Sequence, residues 1–305
     1  MEHIYHYTTL QGLYGMLNSP CNIIDNNLSN QQESNAFKMW ATSIFNLNDP
    51  MEFMSGYKSI QNKIKEIERE LNINKSYRIS NLFSFRKKTN KRIREMLFEK
   101  VYSSEHCPFV ISFSHNQSSL PMWRMYGGDA CGVCMQFDNI GYKIYGTDKT
   151  NFDVNIIHKL NATNITYGKL DSAHFITSCL RKTYSEYNKD LEKKSPDSII
   201  DYMLETYMIM FVFTAPFIKV QDYEYENEVR LVKYVEKTDE VKMRINNRGN
   251  IINYIEVPIP IEYLKRIEIG PCANFNLVKL NIIQMLKKYG VDIPVIKSRI
   301  PYRQY

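Results

Sequence analysis

Apolar residues recur along much of the chain in short runs and alternating patterns that predict strands. The run "IYHYTT" (4–9) is rich in β-branched and aromatic residues, which favour a pleated backbone. The run "PFVISFS" (108–114) predicts an apolar strand, and "KMWATSI" (38–44) predicts another. Further strands are predicted by "ACGVCMQF", "NEVRLVKYV", "NYIEVPIP", "LKRIEIG" and "IPVIKS".

Helical patterns lie between these strands. Residues 10–17 and 276–289 each predict one helix. Two longer segments, at about 54–104 and 172–213, predict helical insertions. The order of elements does not follow a regular βαβ succession, so the sequence predicts a single α+β domain over 1–305 with these two insertions.

The stretch "SSLPMWRMYGG" predicts a short helix with a serine N-cap, a proline in its first turn and a glycine stop. Trp123 and Tyr126 are three residues apart and therefore share a helix face, while Arg124 points elsewhere. The pair is either ordinary core packing or an aromatic platform for a planar ring. In the second case Arg124 is free to meet a phosphate.

Composition places the chain among soluble globular proteins. The 305 residues are 44% hydrophobic and 24% charged. No apolar run approaches the roughly 20 residues that cross a bilayer, and no basic segment leads into an apolar one at the N-terminus. We therefore expect a cytoplasmic protein with no membrane partner.

Neither the cysteines nor the net charge indicates a specific functional site. Cys131 and Cys134 have CxxC spacing, but no second pair stands nearby to complete a zinc site. We interpret both as reduced, small apolar side chains and predict no metal. The formal net charge is +6, and part of the excess lies in "SFRKKTNKRIRE" (84–95). A solvated helix face is the favoured interpretation of that run, and a phosphate-contacting patch is the alternative.

A histidine stands at the centre of the first strand. On strand alternation His6 faces the same way as Ile4 and Thr8, so its ring is expected on an inward face. For a lone histidine, a core residue satisfied by a backbone partner is the favoured interpretation.

Three glutamates alternate in "QDYEYENEVRL". Glu224, Glu226 and Glu228 are expected on one face of a strand entrance. A solvated edge is one interpretation of this cluster. If the cluster is buried, its mutual repulsion requires a cation, and Glu228 beside Arg230 could stabilise a positive charge that develops in a transition state.

An ordered set of motifs carries a resemblance over residues 4–303. It comprises "YHYTTL", "NLNDPMEF", "ISFSHNQSSLPMWRMYG", "GVCMQFD", "NEVRLV", "IEIGP" and "PYR". Together they resemble an uncharacterised bacterial family of domains of unknown function related to the ADP-ribosyltransferases. The resemblance implies a core of two packed antiparallel-rich sheets around a cleft that binds NAD.

The resemblance also assigns roles to individual residues. It implies that His6 binds the adenosine-side ribose of NAD, and that Tyr126 or Trp123 stacks on nicotinamide. Glu228 would hold the ribose whose bond breaks, and Glu226 would orient the acceptor. The remaining implied NAD-binding residues are Tyr7, Thr8, Ser112, Ser114 and Arg124.

The expected activity is NAD-dependent ADP-ribosyl transfer to a macromolecule, either nucleic acid or protein. NAD would be consumed as a substrate, which is consistent with the lack of a GxGxxG fingerprint. The resemblance suits a bacterial toxin or phage-defence effector, with an antitoxin or other regulatory protein as a partner. The alternatives are a plain NAD hydrolase and a non-catalytic module that binds NAD or ADP-ribose.

Overall fold

The computed structural model describes most of the chain. The described residues are 3–24, 33–47, 52–75, 78–83, 95, 99, 102, 107–138, 162–167, 174–190, 196–235, 239–246 and 249–302. The basic residues of 86–94 therefore lie outside the described part. None of the helices in the described ranges is long and apolar enough to cross a membrane.

The strands are between 2 and 11 residues long, and most of their pairings are antiparallel. They are β1 (His3–Thr8), β2 (Cys21–Ile24), β3 (Glu33–Ser43), β4 (Pro108–Ser114), β5 (Val133–Asp138), β6 (Ala162–Asn164), β7 (Thr166–Tyr167), β8 (Ile218–Lys219), β9 (Glu228–Tyr234), β10 (Lys242–Ile245), β11 (Ile251–Pro260), β12 (Leu264–Ile269) and β13 (Val295–Lys297).

Six α-helices occur in the described part of the chain, and the third is the shortest of them. They are α1 (Leu10–Leu17), α2 (Glu52–Glu70), α3 (Leu120–Met125), α4 (His174–Asp190), α5 (Pro196–Thr214) and α6 (Phe275–Lys287). The short helix α3 begins as its sequence predicts. Ser119 is the N-cap, its hydroxyl accepts from the amide of Met122, and a proline occupies the first turn.

Eleven of the described strands form one mixed sheet. Its main path runs β10-β11-β3-β4-β1-β5-β12-β13, and β2 pairs with β3, β9 with β4, and β6 with β9. The pairing of β12 with β13 is parallel. Strands β7 and β8 form a separate parallel pair. The α+β class is thus confirmed, as a large mixed sheet with several helices.

The sheet branches at β4. One edge of β4 pairs with β9 along its whole length, from Pro108 to Ser114. The other edge is shared, because β3 pairs with Phe109 and Val110 whereas β1 pairs with Ser114. Strands β1 and β3 therefore separate, and a gap opens beside the middle of β4. The two sheets expected from the resemblance are instead arms of one sheet, joined because β4 pairs with strands of both arms.

Opposite faces of this sheet carry different cores. Neighbouring residues Val110 and Ile111 of β4 point into different clusters, as strand alternation requires. One cluster packs α1 and α6 against the sheet, with Leu17 and Leu286 fully or almost fully buried. The other packs α2, α4 and α5. These last three helices fall within the two segments predicted to be helical insertions, and they form a packed layer over the sheet.

Candidate functional site

A cleft opens where β1 and β3 separate. Its walls come from β1, β4, α3, β8 and β9, together with the 3₁₀ turn Gln221–Glu226. The space measures about 590 Å³, a figure that includes the open solvent at its mouth. Four separate stretches of chain, at 5–7, 112–113, 126 and 219–230, contribute polar or aromatic side chains to it.

A backbone reversal brings two glutamates to the cleft. The turn Gln221–Glu226 ends at Asn227, whose φ of 44° and ψ of 54° are left-handed. Strand β9 then starts at Glu228, and both Glu226 and Glu228 are buried against the cleft. The predicted alternation across three glutamates is wrong, because the residues before Asn227 form a turn. Glu224 is exposed and accepts a hydrogen bond from the Gln221 amide.

Two buried cations neutralise these carboxylates. The Lys219 ammonium lies 2.6 Å from Glu226 Oε2 and 2.9 Å from Glu228 Oε2. Arg230 donates from Nε to Glu228 Oε1 at 2.7 Å and from Nη2 to Oε2 at 3.0 Å. Its Nη1 donates to the Pro216 carbonyl at 2.8 Å. The cation that a buried glutamate cluster requires is therefore supplied by the protein itself.

The two carboxylates differ in how many hydrogen bonds they receive. Glu228 accepts three bonds, one from Lys219 and two from Arg230. Glu226 accepts one from Lys219 and one, at 2.7 Å, from the Tyr126 hydroxyl. Because an ionised carboxylate offers about four acceptor positions, Glu226 retains more capacity for a ligand than Glu228 does.

Burial and charge act in opposite directions on the ionisable groups. Burial raises the pKa of Glu228, while Lys219 and the Ser112 hydroxyl pull it back down. Burial by itself would lower the pKa of Lys219, but Glu228 and Glu226 more than offset this and raise it above the ordinary lysine value. Lys219 therefore stays protonated in the neutral pH range.

Backbone contacts fix the reversal at Asn227. Ser114 donates its hydroxyl to the Glu226 carbonyl at 2.5 Å. The amide of Glu228 donates to the Tyr167 hydroxyl at 2.7 Å, and the Asn227 carbonyl accepts from the amide of His115 at 2.9 Å. The positions of both carboxylates are thus determined by β4 and β7 as well as by their own segment.

His6 occupies the gap beside β4. Its Nδ1 lies 2.9 Å from the Ser112 carbonyl, so this nitrogen carries the hydrogen and donates it. Burial lowers the pKa of His6, partly offset by this bond, and the ring is therefore neutral at pH 7. Nε2 is then an acceptor, and no partner for it occurs in the described part of the chain.

Aromatic side chains form the cleft walls. Tyr126 and Tyr223 are half-buried and line the cleft, and the Lys219 ammonium lies 4.7 Å from the centre of the Tyr223 ring. Trp123 is fully buried and packs edge-on against Tyr7 at 5.2 Å between centroids. Of the two candidates for ring stacking, Tyr126 lines the cleft and Trp123 does not.

The structure brings some of the sequence-predicted site residues together and places others elsewhere. The cleft is lined by His6, Tyr7, Ser112, Tyr126, Glu226 and Glu228. The lining does not include Thr8 at the end of β1, and Ser114 lies beneath the surface where it holds the Glu226 carbonyl. Arg124 also lies outside the lining, with its side chain 61% exposed and its Nε 3.8 Å from Asp129.

Sequence reasoning missed the residues that complete the charge network. Lys219 lies in the apolar run "PFIKV", and its side chain is 5% exposed. Lysine is almost never buried without a partner, so a lysine in an apolar strand close to several glutamates was an available signal. Tyr167 and Tyr223 had no comparable signal, because tyrosine is common in cores.

The cysteines take no part in the cleft. All six are free thiols, and burial raises the pKa of Cys134. No cluster of three or more metal-binding side chains occurs among the described residues.

The centre of the chain resembles a known family. Residues 122–231 match the family described as "Protein of unknown function (DUF2971)". The DUF2971 match covers about a third of the chain, from α3 into β9, and includes Tyr126, Lys219, Glu226 and Glu228. No curated protein and no solved structure matches the chain. The DUF2971 description names no activity, so the function must be argued from the cleft.

Proposed function

We propose that the protein is an NAD-dependent ADP-ribosyltransferase that modifies a macromolecule, either nucleic acid or protein. The observation that supports this most is the arrangement of His6, Tyr126 and Glu226 around one cleft. These residues come from three distant parts of the chain, and they offer two acceptor atoms and an aromatic wall. The two riboses of NAD suit the two acceptors, with the adenosine-side ribose at His6 and the nicotinamide ribose at Glu226 beside the Tyr126 ring.

The hydrogen-bond acceptors of His6 and Glu226 favour a sugar over a phosphate as the group that binds beside them. His6 Nε2 and the remaining positions of Glu226 can only accept hydrogen bonds, which ribose hydroxyls donate. The cations Lys219 and Arg230 are held by carboxylates at 2.6 to 3.0 Å. Their charge is therefore not available to a phosphate at this point.

The chemistry requires little beyond these groups. Breaking the bond between ribose and nicotinamide leaves positive charge on the sugar, while the bonding electrons neutralise the nicotinamide ring as it departs. A carboxylate that hydrogen-bonds the adjacent hydroxyl stabilises this charge as it develops. A nucleophilic oxygen or nitrogen of the acceptor then forms the new bond and loses its proton. Water in the same position would make the protein an NAD hydrolase.

We assign the ribose contact to Glu226. The sequence-based preference was Glu228, with Glu226 directed at the acceptor. Glu228 already accepts three bonds from Arg230 and Lys219, whereas Glu226 has more acceptor capacity left and contacts the Tyr126 hydroxyl. In this assignment Tyr126 both stacks on nicotinamide and orients Glu226, and Glu228 fixes the cations.

A non-catalytic module that binds NAD or ADP-ribose is the second candidate. The observation that favours it is the neutral charge network, because both carboxylates are already paired before any ligand binds. A carboxylate paired with a cation stabilises a developing positive charge less than a lone one does. A role as a toxin or phage-defence effector, with an antitoxin or other regulatory protein as partner, follows from the resemblance alone.

The test incubates the purified protein with labelled NAD and a cell lysate. We expect label on a macromolecule and release of nicotinamide. Glu226→Gln should lower turnover by roughly two orders of magnitude with little change in NAD affinity. Glu224→Gln is the matched control, because Glu224 lies in the same turn but is exposed, and this variant should keep wild-type turnover. NAD binding without turnover in the wild type would support the binding module instead.

A further inference from the structure

Lys219 reaches the two glutamates from a separate element. It ends β8, which pairs in parallel with β7 through Tyr167, whereas the glutamates belong to the following turn and to β9. Its side chain is 5% exposed and lies against the Tyr223 ring. The backbone position of Lys219 is therefore set by its pairing with β7.

The two carboxylates depend on Lys219 to different degrees. Glu228 keeps the bidentate contact with Arg230 whether or not Lys219 is present. For Glu226, within the described ranges, Lys219 is the only cationic partner. Without the ammonium, Glu226 would be an unpaired charge in a buried site beside Glu228. Two carboxylates that share such a site do not both stay ionised.

We infer that Lys219 is a positioning residue that keeps Glu226 ionised and directed into the cleft beside Glu228. The kinetic consequence of this role rests on the proposed function, but its effect on charge does not. Lys219 acts through Glu226 and does not itself contact the reacting atoms. Removal of the Lys219 ammonium should therefore make the carboxylate pair bind a proton more tightly. Removal of a lysine that only fills space would not have this effect.

Methionine is the substitution that separates charge from packing. Lys219→Met keeps an unbranched side chain of similar length against Tyr223 and removes only the ammonium. The double variant Lys219→Met/Glu226→Gln also removes the carboxylate that lost its partner. Lys233→Met is the matched control, because Lys233 lies on β9, is partly buried and pairs with Asp239 away from the cleft.

The experiment measures urea unfolding of these variants between pH 5 and pH 8. In Lys219→Met the carboxylate pair binds a proton more tightly in the folded protein than in the unfolded chain. The added stability is then present at low pH and is lost as pH rises. We expect the unfolding equilibrium constant of Lys219→Met, relative to wild type, to increase about tenfold or more from pH 6 to pH 8.

The double variant and the control complete this test. Lys219→Met/Glu226→Gln should be more stable than Lys219→Met at pH 8 and should lack the added pH dependence. Lys233→Met should follow the pH dependence of wild type. If the double variant is no more stable than the single one, or if Lys219→Met follows the wild-type pH dependence, the assignment of Lys219 is wrong. A Lys219→Met protein that folds only with the second substitution would also support it.

A kinetic measurement tests the role in turnover. With NAD as substrate, the acidic limb of the kcat profile should move up by about one pH unit or more in Lys219→Met. Lys219→Arg, which keeps the charge, should leave this limb closer to wild type. Absence of NAD turnover in the wild-type protein would refute the proposed function, and the unfolding experiment would still decide whether Lys219 keeps Glu226 ionised.

Discussion

Tyr126 donates a 2.7 Å hydrogen bond to Oε1 of Glu226, a residue one hundred positions further along the chain. Tyr126 is the C-cap of the short helix α3, and its amide is fixed by the Met122 carbonyl. The bond therefore ties the end of a capped helix to the carboxylate that retains acceptor capacity. Tyr126 and Glu226 both line the same cleft.

Substitution of Tyr126 should separate the ring from the hydroxyl. Tyr126→Phe keeps the aromatic wall and removes the bond to Glu226, so we expect reduced turnover with a nearly unchanged KM for NAD. Tyr126→Leu removes the ring as well and should raise KM. Steady-state kinetics with NAD measure both effects.

Trp123→Phe is the control for Tyr126. Trp123 is fully buried, so this variant should lose on the order of 1–3 kcal/mol of stability and keep the KM of wild type. A large rise in KM for Trp123→Phe with an unchanged KM for Tyr126→Leu would reverse the assignment of the stacking residue.

The main effect of Glu228→Gln should be a loss of folding stability. The substitution removes a buried carboxylate that pairs with both Lys219 and Arg230. Breaking a buried ion pair on one side costs about 3–5 kcal/mol, because the remaining charge is left without compensation. Urea unfolding of this variant measures the loss. A stability equal to that of wild type would show that the network contributes nothing to the folded state.

The neutral state of His6 predicts a pH dependence with a definite sign. Burial places the pKa of His6 in the folded protein below its ordinary value of 6.5. Above pH 6.5 the ring is neutral in both states, and its contribution to stability is fully present. Below pH 6.5 the unfolded chain takes up a proton before the folded protein does, so stability falls as pH falls toward the folded pKa.

His3 provides the control for His6. It lies on the same strand, is exposed and pairs with Asp138 at 3.1 Å. Wild type should lose stability between pH 6.5 and pH 5, and part of that loss comes from His6. The loss should be smaller in His6→Gln and unchanged in His3→Gln. Thermal unfolding across this range measures both. An unchanged loss in His6→Gln would mean that another group is responsible.

The left-handed backbone at Asn227 gives a prediction that links local conformation to activity. Asparagine and glycine adopt this conformation readily, and β-branched residues do not. Asn227→Gly should therefore keep the position of Glu226 and the turnover of wild type. Asn227→Val should lose about 1–2 kcal/mol of stability and most of its turnover, because the strain moves Glu226.

Asn72 allows the two effects of Asn227→Val to be distinguished. It is also left-handed, with φ of 54°, and it follows α2 on the helical layer. Asn72→Val should lose similar stability and retain turnover. Equal turnover in the two valine variants would show that the turn at Asn227 does not determine the geometry of the cleft.

Elements with local signals could be predicted from the sequence. The apolar run at 108–114 coincides with β4, and helix α1 has the predicted bounds, from Leu10 to Leu17. The residues that determine the structure of β4 and of α1 lie within or next to each element. Helix α1 has the Thr9 cap, whose hydroxyl accepts from the amide of Gly12. Strand β4 is apolar enough to be buried on both faces, which matches its central position in the sheet.

Elements that depend on distant contacts could not be predicted in the same way. Strand β10 exists because it pairs with β11, and its pattern "KMRI" mixes charged and apolar residues without a buried face. The turn before β9 was mistaken for a strand because asparagine fits either conformation, so "ENE" alone does not reveal the reversal. The reversal is fixed by Ser114 and His115, which are remote in sequence.

The cleft itself was only partly accessible from the sequence. No local pattern states that residues 6, 112, 126 and 226 meet, and the resemblance was the only guide to their grouping. One of the two interpretations of the segment around Trp123 made Arg124 a phosphate ligand because Arg124 leaves the apolar helix face, which also describes an ordinary exposed arginine. Lys219 was overlooked although it lies in the cleft, because its role depends on the two carboxylates with which it pairs.

The branch at β4 also determines the dimensions of whatever binds in the cleft. Ser114 pairs with Tyr5 on one side and with Glu228 on the other, so one strand, β4, lies between β1, which carries His6, and β9, which carries Glu228. The distance between β1 and β9 is two strand spacings, about 10 Å. Hydrogen-bonded strands hold this distance between the backbones of β1 and β9, whereas Glu226 lies in the turn before β9. The strand part of the cleft therefore favours a ligand whose polar groups span a set length.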